Sequence, residues 1–235
     1  MSAWKAKRFW KTATAEGCDG GFTVRLDGRA VKTPAKSAFV LPTLAMAQAA
    51  AAEWDAQVKE VRPETMPVTR MANSAIDKVA VQFDEVAGLL AAYGESDLLC
   101  YRATGPAELI ARQEAVWNPL LDWAAAVLGA PLVATAGVVH VAQPPGSIAA
   151  LRARLFALTP FRLAAMHDLI AISGSLILGF AVAEHHLTAA EAFSISRIDE
   201  QWQAEKWGED EEAAALEALK RAALIEAARF WNLCG

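Results

Sequence analysis

The spacing of apolar residues changes once along this 235-residue chain, and the change predicts two regions of different character. In residues 21–41 the period is two. Phe22, Val24 and Leu26 alternate with Thr23 and Arg25, Asp27-Gly28 is a hairpin signal, residues 30–33 resume extended chain, Thr33-Pro34 closes it, and residues 39–41 read as a third short strand. A two-stranded hairpin is marginal by itself, so a helix must cover it. The next segment supplies one: Leu44, Ala47, Ala51, Trp54, Val58 and Val61 recur at steps of three and four, after Pro42 and before Pro63. Beyond a proline-rich connector at 62–67 the period is helical almost throughout. Helices are expected at about 70–92, 108–128, 147–158, 162–184, 188–207 and 210–231. Thr188-Ala-Ala-Glu191 is a capping box, and Gly208 is a stop for the helix it opens. Residues 138–142, between Gly137 and Pro144-Pro145, read as an isolated strand or an extended loop. The expected fold class is α+β, mainly α. A small N-terminal α+β domain (1–67, hairpin plus third strand packed on a helix) precedes a larger all-helical, orthogonal bundle-like domain (68–235).

Charge singles out one stretch. Residues 194–212 hold seven acids (Asp199, Glu200, Glu205, Glu209, Asp210, Glu211, Glu212) against Arg197 and Lys206, so 2 − 7 = −5, which is the net charge of the whole chain. The remainder is neutral. Trp202 and Trp207 are embedded in the block, and on one helix Glu200, Gln203 and Trp207 project from one side. An aromatic among carboxylates on an exposed helix suits a protein-binding surface. Acids at 209–212 complement the dipole of the last helix. Glu200 and Glu205, placed mid-to-late in the preceding helix, receive no such help. Trp54, Trp117 and Trp123 fall on apolar stripes and are expected in the core.

Composition then narrows the function. With 54% hydrophobic residues and alanine-rich runs the chain can bury a substantial helical core. A pI near 5.5 argues against wrapping nucleic acid, which needs a basic footprint. Lys5, Lys7, Arg8 and Lys11 are interleaved with Trp4, Phe9 and Trp10, as in an amphipathic strand or a lysine-edged apolar patch. Cys18, Cys100 and Cys234 form no CxxC pair, which favours a reducing compartment over a disulfide framework or zinc site. No signal peptide is visible. Residues 169–183 are apolar but fall short of the roughly 20 that span a bilayer, and are expected as a buried central helix. Candidate chemistry is sparse. His167-Asp168 resembles a metal-binding dyad of helical phosphohydrolases, with His140, His185 and His186 as further candidates. On one continuous helix, however, His185-His186 would lie about 27 Å from His167 by helical rise. No GxSxG elbow, Gly-rich phosphate loop or activated cysteine is present.

Several segments in order resemble the ATP-twelve family, chaperones that assemble the catalytic head of F-type ATP synthase. They are Arg8-Phe-Trp-Lys11, Leu26-Asp-Gly-Arg-Ala-Val-Lys-Thr-Pro34, Glu53-Trp54 with Gln57, and Pro63-x-x-Met-Pro67 leading to Ala72-Asn73-x-Ala-Ile-Asp77. Further along come Asp97-Leu-Leu-Cys-Tyr-Arg102, Gln113-x-x-x-Trp117-x-Pro119-Leu120, Gly174-Ser-x-x-x-Gly179 and Glu200-x-x-Gln203-x-x-x-Trp207-Gly208. The resemblance covers essentially the whole chain. It implies a non-enzymatic protein without cofactor or metal that holds the free alpha subunit until beta subunits replace it. It also implies partner-binding residues in the acidic C-terminal segment, here Glu200, Gln203, Trp207, Asp210 and Glu212. With no transit peptide visible, the chain resembles a bacterial, cytoplasmic member or a mature form, expected as a monomer that binds no nucleic acid and does not insert stably in a membrane. The alternative from another class is a helical metal-dependent phosphohydrolase using His167 and Asp168.

Overall fold

The structure, a computed structural model, describes residues 7–235, so Trp4 and Lys5 of the basic-aromatic run lie outside the described residues. The fold is mainly helical with small sheets, as its periods predict, and its residues group into two compact units. The first takes in the chain up to Phe83 together with Thr159–Ala165 and Arg229–Gly235. The second comprises Asp84–Leu158 and Met166–Ala228.

In the first unit β1 (Ala13–Cys18), β2 (Gly21–Leu26) and β3 (Arg29–Ala30) form an antiparallel sheet in that order, with Ala13 opposite Leu26 and Arg25 opposite Ala30. Asp27-Gly28 makes the predicted turn. The expected third strand at 39–41 does not form a ladder: it touches the sheet through single bridges, Phe22 with Leu41 and Lys32 with Ala38. Gly21 permits that crossing, because a Cβ there would stand 2.4 Å from the Leu41 carbonyl oxygen. The edge partner of β2 is instead β1, whose alternation carries no large apolar residue and so gives no sequence signal.

The first helix, α1 (Leu44–Asp55), starts at Thr43, whose hydroxyl accepts from Met46 N–H. It buries Met46, Ala47, Ala50 and Ala51, while Leu44 and Val58 of the expected stripe are exposed. The helix ends at Asp55 rather than near Val61. The Arg8 guanidinium takes the carbonyls of Asp55 and Gln57, and the Gln57 side chain donates to Glu53 O and accepts from Arg62 N–H. With those groups satisfied the chain leaves the helix without unpaired backbone. Glu53 accepts from Val68 N–H and Thr69 N–H, both at 2.8 Å, and so caps α2 (Pro67–Ser74) from a neighbouring element. Burial pushes its carboxyl up from the ordinary value, and the hydrogen bonds from Thr69 and Val68 oppose the shift. Asp77 likewise holds the turn after β3, accepting from Thr33 Oγ1 and Ala35 N–H. The core joins Trp10, Val24, Phe39, Leu41 and Met46 to Val68, Ala72, Ala165 and Phe230.

Trp54 is half-buried in this core, edge-on to Trp10 with ring centroids 5.2 Å apart. Trp54→Arg is expected to lower the unfolding free energy by about 2 kcal/mol, since it removes the aromatic contact and desolvates part of a cation. Urea denaturation checks this, and an unchanged midpoint would place Trp54 outside the packed core.

The helices expected beyond residue 67 are present but interrupted. The first is a case in point: α2 runs through a π-type turn at Ala75–Val79, and a turn separates it from α3 (Phe83–Ala92). Helix α4 (Ala107–Trp123) extends through a π-type turn at Ala124–Leu128, and α5 (Pro145–Phe156) follows. The expected continuous helix at 162–184 is two, α6 (Pro160–Ser173) and α7 (Leu176–Ala183). Gly174 breaks them with φ +73°, its carbonyl accepting from Leu98 N–H. Ser175 caps α7 by accepting from Leu178 N–H. Gly179 lets α7 lie close on α6, because a Cβ there would stand 2.8 Å from Ile170 Cγ1. The single helix expected at 188–207 is also two, α8 (Ala189–Ile195), with the predicted capping box, and α9 (Ile198–Trp207). Helix α10 (Glu211–Leu233) ends the chain. Short strands β4 (Tyr101–Arg102) and β5 (Thr135–Ala136) pair in parallel, and the chain bends at 137–138 and continues to 142 as a loop rather than a strand. Among the described residues no helix is long and apolar enough to cross a membrane.

Candidate functional site

The acidic block begins where α8 gives way to α9. Arg197 adopts non-helical φ and ψ there, donates to Ile172 O and to Glu200 Oε1 (2.9 Å), and lies against Phe193. The break corrects one expectation. Asp199 and Glu200 sit in the first turn of α9, not late in a longer helix, so the positive helix end favours both. Asp199 accepts from Gln113 Nε2 at 2.6 Å, and Glu205 is held by both terminal nitrogens of Arg112 at 2.8 and 3.0 Å. The hydrogen bonds from Arg112 hold the Glu205 carboxyl below its ordinary value. Glu205 therefore has a structural task, fastening α9 to α4. Trp117 on α4 adds a bond from its indole N–H to Ile195 O, from a fully buried ring.

The opposite side of α9 faces solvent. Glu200, Gln203 and Trp207 are exposed along it, and Trp207, at 79%, is among the most exposed large apolar residues of the chain. Trp202 differs: it is half-buried, with Lys206 Nζ 4.6 Å from its ring centroid. Gly208 ends the helix with φ +93°. Asp210 accepts from Ala213 N–H at 2.8 Å and so caps α10, and Glu211 and Glu212 occupy its exposed first turn. The five residues assigned to partner binding are thus all exposed, three along one helix and two at the start of the next. Sequence reasoning missed Arg197 and Lys220, which share with Glu200 a cleft of about 390 Å³ floored by Leu98, Ile172 and Gly174. It also missed Leu216 and Leu219, which α10 presents to solvent. Their three-residue spacing is that of a core stripe and carries no mark of exposure.

The histidines go to separate partners. His167 Nδ1 lies 2.9 Å from Asp168 Oδ1, a hydrogen bond that raises its pKa above the ordinary value. His140 meets Tyr101, and His186 stacks on Trp123 with centroids 4.8 Å apart. The break at Gly174 removes the continuous helix on which the 27 Å separation of these sites was reckoned. Among the described residues, no group of three or more His, Cys, Asp and Glu is placed to hold a metal ion. Burial pushes the thiols of Cys100 and Cys234 up to about 12, leaving both neutral.

Comparison with known proteins gives a concordant result. A family model described as ATP12 chaperone protein matches residues 7–125. The mitochondrial protein atp12 of Schizosaccharomyces pombe is 26% identical over 219 residues, covering 88% of this chain and 75% of that protein. The crystal structure of Atp12 from Paracoccus denitrificans superposes with a TM-score of 0.96 at 49% identity, over 98% of this chain and 99% of that one. A structure of an Agrobacterium tumefaciens protein gives 0.93 at 44% identity, over 97% of this chain and 86% of that one.

Proposed function

The chain belongs to the ATP12 chaperone family, and we propose that it assists assembly of the catalytic head of F-type ATP synthase by holding the free alpha subunit until beta subunits replace it. The observation that carries the reading is Trp207. This large aromatic stands exposed among carboxylates, on a face of α9 that the chain's own packing does not use. An unassembled alpha subunit presents an apolar interface that is an aggregation hazard. A chaperone must cover that surface and still be displaced, so part of its affinity should be electrostatic and tunable rather than wholly hydrophobic. Exposed Glu200, Asp210 and Glu212 would meet Arg and Lys on the client, with Trp207 as the desolvated anchor and Gln203 as a hydrogen-bonding neighbour. The task requires no catalysis, metal or cofactor. The reading supposes a monomer in the bacterial cytoplasm. Co-purification with separately produced alpha and beta subunits tests the reading. Alpha is expected to be retained well above beta, and equal retention of the two, or none of alpha, would sink it.

A further inference from the structure

No Asp, Glu, Lys or Arg occurs between Asp122 and Arg152, a long gap for a chain with 21% charged residues. Part of that gap is helix, and residues 130–143 between the helices run as a largely surface segment. Its base is fastened. Buried Gln143 accepts from Val133 N–H at 2.7 Å and donates to Val133 O at 3.0 Å, as a paired strand would, and Ser147 Oγ donates to Pro131 O. The chain then pairs with β4 through β5 and a last bond from Gly137 N–H to Arg102 O. Past that point His140 meets Tyr101 Oη at 3.3 Å, and the valines around it face solvent. Val138 is 93% exposed and Val139 73%, with Val141 and Val133 also exposed. Among the described residues, the backbone N–H and C=O groups of 138–142 make no backbone hydrogen bond.

A run of β-branched residues with unpaired backbone is a template for strand addition, and proteins blunt such edges with charge or proline. None of residues 137–142 is either. We infer that this valine loop is a second, uncharged client contact, which adds an extended apolar segment of the bound subunit to its free edge. The inference rests on the reading above and adds to Trp207 a second apolar surface to set against the client's apolar interface. The absence of charge specifies the occupant, because a partner's charge buried against this loop would go unpaired. A second copy of the chain is disfavoured, since each copy carries net charge −5. A lipid surface is disfavoured too, as no Lys, Arg or Trp flanks the valines to anchor at headgroups.

Once the loop pairs as a strand, successive N–H groups point to opposite sides, so one of Val138 and Val139 would donate toward the added strand. Val138→Pro and Val139→Pro are therefore made separately, with Val138→Ala, Val139→Ala and Val139→Lys. All five are expected to keep the wild-type melting temperature, since both side chains are exposed. Val139→Lys and one of the two proline variants should bind isolated alpha subunit at least tenfold more weakly, and each alanine variant less than threefold. In the wild-type complex the amides of 138–142 should exchange hydrogen at least tenfold more slowly. If wild type binds alpha and all five variants bind as well, the loop inference fails while the reading above stands. If wild type binds no alpha, that reading fails first. A concentration-dependent dimer of the wild type that Val139→Lys abolishes, or vesicle binding that it abolishes, would overturn the inference in favour of another occupant.

Discussion

Asp97→Ala is expected to lower the unfolding free energy by about 3 to 5 kcal/mol, measured by urea denaturation followed by far-ultraviolet circular dichroism. Asp97 is fully buried, and its carboxylate organises the junction at which α6 gives way to α7. One oxygen accepts from Leu99 N–H (3.0 Å) and Ser175 Oγ (2.7 Å), the other from Ile177 N–H in the first turn of α7 (3.0 Å). Removing the carboxylate leaves these donors buried and unpaired, each at a cost of about 1 to 3 kcal/mol, and opens a cavity as well. Asp97→Asn discriminates further. All three partners are donors, so either orientation of the amide turns N–H toward N–H, and the variant should keep less than half of the lost stability. Wild-type stability in Asp97→Asn would mean that hydrogen-bond polarity is unimportant there. Burial pushes the Asp97 carboxyl up from its ordinary value of 3.8, with the bonds from Ile177, Ser175 and Leu99 opposing. A group raised in the folded state contributes most below its unfolded value, and that contribution fades as pH rises toward the folded one. Asp97→Ala should therefore also lose a fall in stability with rising pH that begins near the ordinary aspartate range.

This junction shows what a sequence leaves illegible. Asp97 braces a turn through Leu99 N–H, but its other partners lie far along the chain at Ser175 and Ile177, where no local pattern points to them. Arg102, the nearest cation along the sequence, bonds instead to Asn118 and lies over Trp117. Fold class, the Asp27-Gly28 turn, the capping box and the stop at Gly208 all follow from local chemistry and were readable. Helix breaks were not. Gly174 and the pair Ser196-Arg197 interrupt stripes whose apolar period continues across them, and what stabilises each break is a distant group: Leu98 N–H on Gly174 O, the Arg197 guanidinium on Ile172 O. The first unit's core likewise takes Ala165 and Phe230 from segments remote in sequence, which periodicity cannot assign.

The same distinction sorts the residues that carry the family resemblance. Glu53, Asp77, Asp97, Gln113, Trp117 and Gly179 are each occupied by a bond or contact within the fold. Their match across the chain reports a shared architecture. Gln203 and Trp207 have no such task, and they lie on the exposed side of α9 with Glu200. The candidate site was legible only as an imbalance of charge with an aromatic inside it, and the structure divides that block. Asp199 and Glu205 hold α9 in place, whereas Glu200, paired with Arg197, and Glu212 are exposed and are the acids proposed to meet a partner.

Glu200→Lys should reduce capture of the alpha subunit at least tenfold while leaving the protein folded. The position is exposed, so losing the Arg197 pair and the complement to the helix end should cost about 1 kcal/mol of stability. At a complementary surface the same reversal replaces attraction with repulsion. Here it also sets a third cation beside Arg197 and Lys220 at the cleft they line, so a client arginine or lysine would meet only like charge. Glu200→Gln, which removes the charge without reversing it, should give an intermediate loss. Asp210 needs a different control, because its carboxylate caps α10. Asp210→Lys should cost about 1 kcal/mol of stability as well as affinity, whereas Asp210→Asn keeps a capping oxygen and isolates the charge. Gln48→Lys, exposed on α1, makes a bare change of net charge and should bind as wild type does. Salt should weaken wild-type capture, since exposed charges are screened over roughly 8 Å at physiological ionic strength, and should weaken Glu200→Lys less. Full capture by a folded Glu200→Lys would remove the acidic helix from the client site and leave the uncharged valine loop as the surface to pursue.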